Sequence, residues 1–313
     1  MIFYSKQDKA ILLFHRVLPE RDPLWDPIDP ALFKQTLKYV SKNFHVVTLD
    51  EILFEKNVSS SKPLCALTFD DGYRDFIDHA IPILDKEKIS ASMFLVTDCI
   101  DKGIPTWTYI VDHIFANSNK MEWAGFDPAE LPEEYSKMKW ETKQEKIDYC
   151  RKFKQYIKWI PSTKRDIIIK SLLENFNDTT YPPNMMMTWD EVRQIQAAGF
   201  GIGSHSVTHP SLATIEDKDA IRFELAQSKK RIKEETGFDS TVFSYPVGSY
   251  DERVKEIARE TGYKAALAVN YKMYNPAKQD IYEIPRIELY SESWLKTKLR
   301  INGTFTYLKR LNK

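Results

Sequence analysis

Residues 64–73 read Leu-Cys-Ala-Leu-Thr-Phe-Asp-Asp-Gly-Tyr, and this stretch decides the fold. The apolar run 64–69 predicts a buried strand that leads directly into two carboxylates and a glycine. Successive strand residues point to opposite faces, so Asp70 and Asp71 can serve one centre only where the strand ends and the chain turns. Gly72 permits that turn. An ordinary Asp-Gly turn that closes a strand would have the same sequence, so the choice depends on a second segment.

That second segment is a pair of histidines, His205 and His209, after the glycine-punctuated apolar residues 199–203. On one helical turn this spacing would bring both imidazoles to the same side. With one carboxylate they make an Asp-His-His set, which leaves a coordination position open for water, as catalytic zinc-type sites do. The second carboxylate could then accept a proton from that water. Such a pair alone is more often a surface or hydrogen-bonded pair, but together with the double aspartate it predicts a catalytic metal site.

Here the sequence resembles the polysaccharide deacetylases, carbohydrate esterase family 4, also called the NodB-homology family. Residues 68–72, Thr-Phe-Asp-Asp-Gly, are similar to that family's first motif, and residues 205–209, His-Ser-Val-Thr-His, to its second. The resemblance implies that Asp70 is the general base. It also implies three metal ligands: Asp71, His205 and His209. The metal implied is divalent, zinc by default, with cobalt and nickel as alternatives.

The family's third motif is matched only in part, by residues 243–248, Phe-Ser-Tyr-Pro-Val-Gly. These keep the proline and glycine of the Arg-x-Pro-x-Gly pattern, but Ser244 stands where the arginine usually is. Arg286, in the predicted last strand 284–289, is the best candidate to replace it, because related sequences without that arginine often have one here. An ordinary exposed arginine fits the sequence equally. The family pattern also implies that the backbone N–H of Val247 stabilises the tetrahedral oxygen.

The predicted first strand, residues 10–17, carries His15 at the end of its apolar run. In the resembled family a late strand ending in histidine supplies the general acid, and the C-terminal part of this sequence has no such motif. Some members carry that strand at the front, and residues 12–15, Leu-Leu-Phe-His, look like this arrangement. We infer that His15 is the acid, since the first and last strands of a closed barrel are neighbours. A core or rim histidine bonded to a neighbour is the alternative.

Strands and helices alternate along the chain, as in a parallel α/β sheet or barrel. We predict a distorted parallel (β/α) barrel of about seven strands, with the site residues at the C-terminal ends of strands. Residues 101–187 break this alternation with charged helical stretches, 133–160 and 162–175, and we interpret them as a helical insertion in a single domain, 1–313. Four residues near its start could contact substrate: Trp107, Tyr109, Asp112 and His113. Packing of these side chains onto the barrel is the favoured alternative.

Composition excludes some classes of protein. The formal net charge of zero gives no support to a general nucleic-acid binder, which needs positive charge against phosphate. Three cysteines form no even disulfide framework, and neither a signal-peptide pattern nor a membrane-length apolar stretch is found, so we expect a cytoplasmic protein. The tail 295–313 has six basic residues and no acidic ones. A solvated face is the default explanation, and weak contact with anionic lipid or a lipid-linked substrate is the alternative.

The motifs together predict a metal-dependent hydrolase that removes an N-acetyl or other N-acyl group from an amino sugar in an oligosaccharide, polysaccharide or glycan precursor. A deformylase, or another amide hydrolase acting on non-peptide bonds of a small or lipid-linked molecule, would use the same site. A third hypothesis is an inactive module that binds metal and sugar. Asp70 argues against it, because binding needs no unligated carboxylate beside the metal.

Overall fold

Seven parallel strands form a closed barrel in the computed structural model. The structure describes residues 7–55, 58–123, 126–127, 130–136 and 138–304. The strands are β1 Ala10–Phe14, β2 His45–Val46, β3 Leu64–Phe69, β4 Ser92–Leu95, β5 Gly201–Ser204, β6 Val242–Ser244, β7 Ala265–Val269 and β8 Ile284–Glu288. Their order is β1-β8-β7-β6-β5-β4-β3, and β3 pairs again with β1, while the short β2 pairs with the start of β3. The predicted barrel of about seven strands is confirmed.

Closure of the barrel determines where the candidate site residues lie. In the β1–β3 pair, Phe14 is the register partner of Phe69. Because the strands are parallel, the residues that follow them, His15 and Asp70, leave the barrel at the same end. The same end receives the loops after β5 and β6, since every pair in the ring is parallel. His15 and Val247, which are 232 positions apart in sequence, are therefore brought to one edge.

Eleven α-helices are found within the described residues. They are α1 Pro30–Asn43, α2 Leu49–Phe54, α3 Ile81–Glu87, α4 Thr97–Lys102, α5 Trp107–Asn117, α6 Lys143–Lys158, α7 Ser162–Asn175, α8 Trp189–Ala197, α9 Lys218–Thr236, α10 Glu252–Glu260 and α11 Trp294–Ile301. Local sequence explains several starts: Asp29 caps α1, and Thr188 with Glu191 forms a capping box at α8. No described helix combines the length and apolar character that a membrane span needs.

Helices α5, α6 and α7 lie between β4 and β5 in the chain and share a hydrophobic cluster of their own. Buried members of this cluster include Trp107, Val111, Phe115, Trp123, Phe153, Ile157, Ile168 and Leu172. This is the interval of the predicted insertion, whose boundaries stay a prediction. The helix expected over 133–160 is shorter, because residues 133–135 form a single 3₁₀ turn and Lys139 forms a β-bridge with Glu122, so α6 begins only after its cap Thr142.

The glycines before the histidine pair are explained by close packing between β4 and β5. A Cβ at Gly203 would lie 2.2 Å from the ring of Phe94, and a Cβ at Gly201 would lie 2.5 Å from Ser92 Oγ. A side chain at either position would displace its neighbour on β4.

The three cysteines, Cys65, Cys99 and Cys150, are all buried free thiols.

Candidate active site

One cavity of about 740 Å³ opens at the C-terminal ends of the barrel strands. Seven residues were predicted from the sequence to be catalytic or metal-binding. Six of them line this cavity: His15, Asp70, Asp71, His205, His209 and Val247. The seventh, Arg286, lies behind Asp70 and is fully buried. The alternative of an ordinary exposed arginine is therefore wrong.

Asp71, His205 and His209 offer ligand atoms that all lie within 4.8 Å of one another. Asp71 Oδ1 is 3.4 Å from His205 Nε2 and 3.3 Å from His209 Nε2. Among the described residues, this oxygen and His209 Nδ1 are buried without a hydrogen-bond partner. A buried polar atom without a partner needs an explanation, and a cation between the carboxylate and the two imidazoles provides one for the oxygen.

The hydrogen bonds and charges of the histidines also suit a divalent cation. The Nδ1–H of His205 donates to the carbonyl of Ser244 at 2.8 Å, which leaves the Nε2 lone pair directed at Asp71. Burial lowers the pKa of His209 to about 3, against the opposing charge of Asp71, so its imidazole is neutral at physiological pH. Burial lowers the pKa of His205, but the nearby carboxylates of Asp70 and Asp71 outweigh it and raise this pKa. Two imidazoles and one carboxylate are a typical donor set for zinc in a catalytic site. The residues present therefore fit a divalent metal.

The loop between the two histidines is not helical, so the expected helical turn is wrong. Ser206 and His209 have φ of 71° and 61°, in the left-handed region. Glu224 of α9 satisfies the loop: its carboxylate accepts hydrogen bonds from the N–H groups of Val207 and Thr208, both at 2.9 Å, and from the Thr208 hydroxyl at 2.7 Å. The imidazoles converge because these contacts determine the loop, and the i, i+4 spacing alone does not require a helix.

The insertion also contacts the histidine loop. Trp107 of α5 donates its indole N–H to the carbonyl of His209 at 2.8 Å. The guanidinium of Arg165, on α7, lies 4.7 Å from the centre of the Trp107 ring. Two helices of the insertion thus stabilise the backbone of a candidate metal ligand.

Asp70 is surrounded by donors. Arg286 binds both of its carboxylate oxygens, with Nη1 2.8 Å from Oδ1 and Nη2 2.7 Å from Oδ2. Ser244 donates its hydroxyl hydrogen to Oδ2 at 3.0 Å and accepts from Arg286 Nη2 at 2.8 Å. Burial alone would raise the pKa of Asp70, but Arg286 outweighs it and holds this pKa well below its usual range. The serine that departs from the motif therefore joins the same hydrogen-bond network as the arginine on β8.

His15 lies at the cavity wall beside a carboxylate that the sequence analysis did not select. Its Nδ1 is 3.6 Å from Oε1 of Glu288, whose other oxygen accepts the Tyr271 hydroxyl hydrogen at 2.5 Å. Glu288 ends β8, and Leu13 of β1 is its register partner. A carboxylate at a strand's C-terminal end was the signal that could have found it. The ring of Trp25 packs edge-on against His15, with centroids 5.3 Å apart.

Val247, in the loop after β6, has φ of 51°. This is a left-handed conformation that β-branched residues rarely adopt, and it brings the residue to the cavity wall. Strain of this kind persists where surrounding contacts over-determine the backbone, which is common at functional sites. The loop is closed by hydrogen bonds from Gly248 N–H to Tyr245 O at 3.0 Å and from Ser249 N–H to Pro246 O at 2.9 Å.

The four candidate substrate contacts of the insertion divide into two pairs. Trp107 and Asp112 line the cavity, whereas Tyr109 and His113 stack on each other away from it, with ring centroids 5.6 Å apart. Asp112 forms an ion pair with Lys154 of α6. Burial nevertheless raises the pKa of Asp112 to about 6.

The family model described as polysaccharide deacetylase matches residues 57–163 and 168–266, about two-thirds of the chain. This chain belongs to the polysaccharide deacetylase family. Among sequence relatives of this family member, chitin deacetylase 1 of Cryptococcus neoformans is 28% identical over 114 residues, which cover 36% of this chain and 24% of that protein. The chain aligns with about a quarter of the length of the curated relatives it matches.

Two solved structures are similar to this polysaccharide deacetylase family member over nearly their whole length. The deacetylase PplD of Streptococcus pyogenes, solved in complex with acetate, has a TM-score of 0.62 at 17% identity, covering 94% of this chain and 97% of that chain. IcaB from Ammonifex degensii has a TM-score of 0.59 at 19% identity, with the same coverage of 94% and 97%. At these identities the likeness concerns the fold.

Proposed function

We propose that this protein is a metal-dependent hydrolase that removes an N-acetyl group, or a related N-acyl group, from an amino sugar in an oligosaccharide or polysaccharide. One observation carries the proposal: the Asp71-His205-His209 cluster lies beside a second carboxylate, Asp70, that ligates nothing and faces the same cavity. A binding module has no need of that second carboxylate. Family membership supports the same chemistry.

Zinc is the metal we propose, because two imidazoles and a carboxylate match its preferred donors. Bound by Asp71, His205 and His209, the ion would supply Lewis-acid chemistry toward water and the acyl oxygen. Asp70 is the proposed general base. Arg286 and Ser244 donate to its oxygens and so orient it, and its low pKa keeps it ionised at neutral pH.

His15 is the proposed general acid on the other side of the cavity. An amide nitrogen is a poor leaving group until it is protonated, so a donor is needed where the amine departs. Glu288 lies against Nδ1 of His15 and is itself fixed by Tyr271, which leaves Nε2 of the imidazole as the proposed proton donor. The backbone N–H of Val247 is proposed to stabilise the negative charge that develops on the acyl oxygen.

The test combines metal content with product release, on wild-type protein and on Asp70→Asn. Purified protein loaded with zinc would be assayed for both acetate and formate against N-acetylated and N-formylated amino-sugar oligomers. We expect about one metal per chain in both proteins, acetate release by wild type, and its loss in the variant. Formate release without acetate would instead favour the deformylase hypothesis. Metal binding with neither product would favour the inactive module.

Two predictions about the surroundings of the protein stay predictions from the sequence. These are its cytoplasmic location and the weak contact of the tail 295–313 with anionic lipid or a lipid-linked substrate. Residues 305–313 of that tail lie outside the described residues, and the basic side chains before them lie on α11. Flotation with anionic liposomes, with and without the tail, would test the lipid contact.

A further inference from the structure

One face of α6 forms the wall of the cavity on the side of the insertion. The cavity-lining residues of this helix and its end are Arg151, Lys154, Gln155, Lys158 and Trp159. Their spacing of three or four residues places them on one side, and the opposite side packs into the insertion through Cys150, Phe153 and Ile157. A helix that presents three cations and an indole to a candidate active site is not explained by packing alone, because its apolar face already supplies the packing.

The three cations of this wall differ in their partners. Arg151 pairs with Asp148 at 2.6 Å and donates to the carbonyl of Pro23 at 2.7 Å. Lys154 pairs with Asp112. Within the described ranges of the chain, the ammonium group of Lys158 makes no hydrogen bond and no ion pair, and it lies 5.7 Å from the centre of the Trp159 ring. Lys158 is half-buried, so its charge is partly removed from water, and the Glu288 carboxylate of the same cavity attracts it without forming an ion pair.

Trp159 completes the wall as an exposed aromatic surface. Its side chain is 54% exposed, although a large apolar ring at a cavity rim loses free energy by contact with water. A flat aromatic face suits the apolar C–H face of a pyranose ring. The cavity volume of about 740 Å³ lies in the upper part of the range of small-molecule sites, ~300–1,000 Å³, and leaves room beyond the N-acyl group for an adjacent sugar unit.

The position of this wall relative to the metal ligands is determined by a hydrogen bond. The hydroxyl of Ser211 donates to the carbonyl of Lys158 at 2.5 Å. Ser211 is two residues after His209, so the end of α6 is attached to the loop that carries a candidate metal ligand. A sugar on Trp159 would therefore lie next to the reacting centre.

We propose that Lys158 and Trp159 form a subsite for a sugar unit that carries an anionic group, phosphate or carboxylate, next to the N-acylated sugar. Trp159 stacks on the sugar ring, and the ammonium of Lys158 binds the anion, which offsets the loss of hydration of both charges. The inference rests on the proposed function, because it takes the N-acyl group to lie at the metal ligands. It narrows the substrate class from amino sugars in general to anionic glycans or sugar phosphates.

The test measures binding by calorimetry with three matched disaccharides. They are the neutral N,N′-diacetylchitobiose, its 1-phosphate, and the β-1,4 disaccharide of N-acetylglucosamine and N-acetylmuramic acid. All titrations use zinc-loaded protein in the Asp70→Asn background, so that ligand is not consumed. We expect one of the two anionic disaccharides to bind about tenfold more tightly than the neutral one, and the choice between them separates phosphate from carboxylate.

Four substitutions in that background test the subsite, three of them for the charge of Lys158 and one for the Trp159 ring. Lys158→Gln should reduce the anionic-to-neutral affinity ratio to less than about threefold, and Lys158→Arg should restore it. Lys152→Gln is the matched control, since Lys152 is an exposed cation of the same helix outside the cavity, and it should leave the ratio unchanged. Trp159→Ala should weaken all three disaccharides, by about fivefold. Attraction of phosphate to the metal itself would survive in Lys158→Gln.

An affinity ratio that stays within twofold of the starting value in Lys158→Gln overturns the subsite. So does a starting ratio of one. Acetate release by the protein with native Asp70 is measured separately on the same disaccharides, so the two proposals fail in different ways. A Lys158-dependent preference without acetate release supports the subsite and rejects the deacetylase reaction. Acetate release with a ratio independent of Lys158 supports the reaction and rejects the subsite.

Discussion

Asp70 and Asp71 are adjacent in the chain and equally buried, yet the protein surrounds their carboxylates in opposite ways. Both oxygens of Asp70 accept hydrogen bonds, from Arg286 and from Ser244. Oδ1 of Asp71 accepts none within the described part of the chain, and the nitrogens nearest to it belong to two imidazoles. One carboxylate is balanced by a cation of the protein itself. The other is suited to a cation from solution.

The difference arises where the strand ends. Asp70 continues the direction of β3, and its backbone N–H still donates to Phe14 of β1 at 3.1 Å. Asp71 has φ of 80°, and the turn with Gly72 directs its carboxylate toward the loop after β5. A Cβ at Gly72 would lie 2.9 Å from Ile100, so the turn is also restricted from outside. Two like charges can coexist here because each has a different partner.

The largest effects are expected on activity and metal content, when Asp70 or Asp71 is replaced by asparagine. These two variants test whether the two carboxylates have different roles. Asp70→Asn should keep about one metal per chain and lose about 100- to 10,000-fold in kcat, because the proposed general base is removed. Asp71→Asn should lose the metal and activity together, because a charged ligand is removed. Elemental analysis and acetate release measure both. Metal retained by Asp71→Asn at wild-type affinity would contradict the division of roles.

A second prediction concerns stability without metal. In EDTA, Arg286→Met should lower the free energy of unfolding by about 3–5 kcal/mol, because it leaves Asp70 buried without its counter-ion. Asp71→Asn should change it by less than about 1 kcal/mol, since its Oδ1 makes no hydrogen bond to lose. Urea denaturation measures both.

The double variant Asp70→Asn, Arg286→Met serves as the control for this stability prediction. It removes both charges and should recover much of the loss, as replacement of a whole buried pair often does. Equal destabilisation by Arg286→Met and by Asp71→Asn would show that the two carboxylates are not in opposite situations.

The ion pair between Asp112 and Lys154 extends the comparison to a third buried carboxylate. The pKa of Asp112 is raised, whereas the pKa of Asp70 is lowered. Asp112 pairs with Lys154 and accepts a weak hydrogen bond from the Cys150 thiol at 3.9 Å, yet burial raises its pKa to about 6. At Asp70 the charge of Arg286 outweighs burial and lowers the pKa. Between the unfolded pKa of about 4 and the folded value of about 6, the folded state binds the proton and the unfolded state does not. The stability contributed by Asp112 should therefore fall as pH rises through this window, by about 3 kcal/mol.

Comparison of wild type with Asp112→Asn isolates this effect. The difference in free energy of unfolding between the two proteins should change by that amount between pH 4 and pH 7, since only wild type carries the titrating carboxyl. Chemical denaturation at each pH, in EDTA, measures it. A difference that is constant with pH would mean that Lys154 balances Asp112 as completely as Arg286 balances Asp70.

The contrast between the two aspartates also shows what the sequence could predict. Strand β3 was predicted with its observed bounds, because its apolar run and the Asp-Asp-Gly turn are local signals. The motifs located the carboxylates and histidines for the same reason. Glu288, by contrast, faces His15 only because the last strand closes against the first, a contact 273 residues apart in sequence. Hydrophobic periodicity is a local signal and does not predict such a long-range pairing.

One wrong prediction from the sequence and one omission have physical causes as well. The i, i+4 spacing of the histidines suggested a helical turn, but Glu224 satisfies the N–H groups of this loop in place of helical hydrogen bonds. The position of Lys158 in the cavity wall was not predicted, because charged helices are normally solvated and only the packing of α6 at the cavity shows which face is enclosed. The charge of a helical segment does not indicate which of its faces borders a cavity.

The smallest effect is expected on zinc affinity, from a substitution of Glu224. This variant tests what holds the loop that carries the two histidines. This carboxylate touches no metal ligand atom, yet it accepts three hydrogen bonds from the loop between the two histidines. Glu224→Gln replaces one acceptor oxygen by a donor, so it should weaken zinc affinity by about 10- to 100-fold without removing the site. Competition with a zinc chelator of known affinity measures the change.

Glu234→Gln is the matched control for Glu224, because it removes an exposed carboxylate from the same helix α9 and should leave zinc affinity unchanged. The stability of the metal-free protein separates a local effect from unfolding. If Glu224→Gln binds zinc as wild type does, the backbone hydrogen bonds of the loop must suffice, namely those from Thr97 and Asp98 of α4 to the carbonyls of Ser206 and Val207. In that case backbone hydrogen bonds alone would position the loop of His205 and His209, whereas the charge of Arg286 positions Asp70.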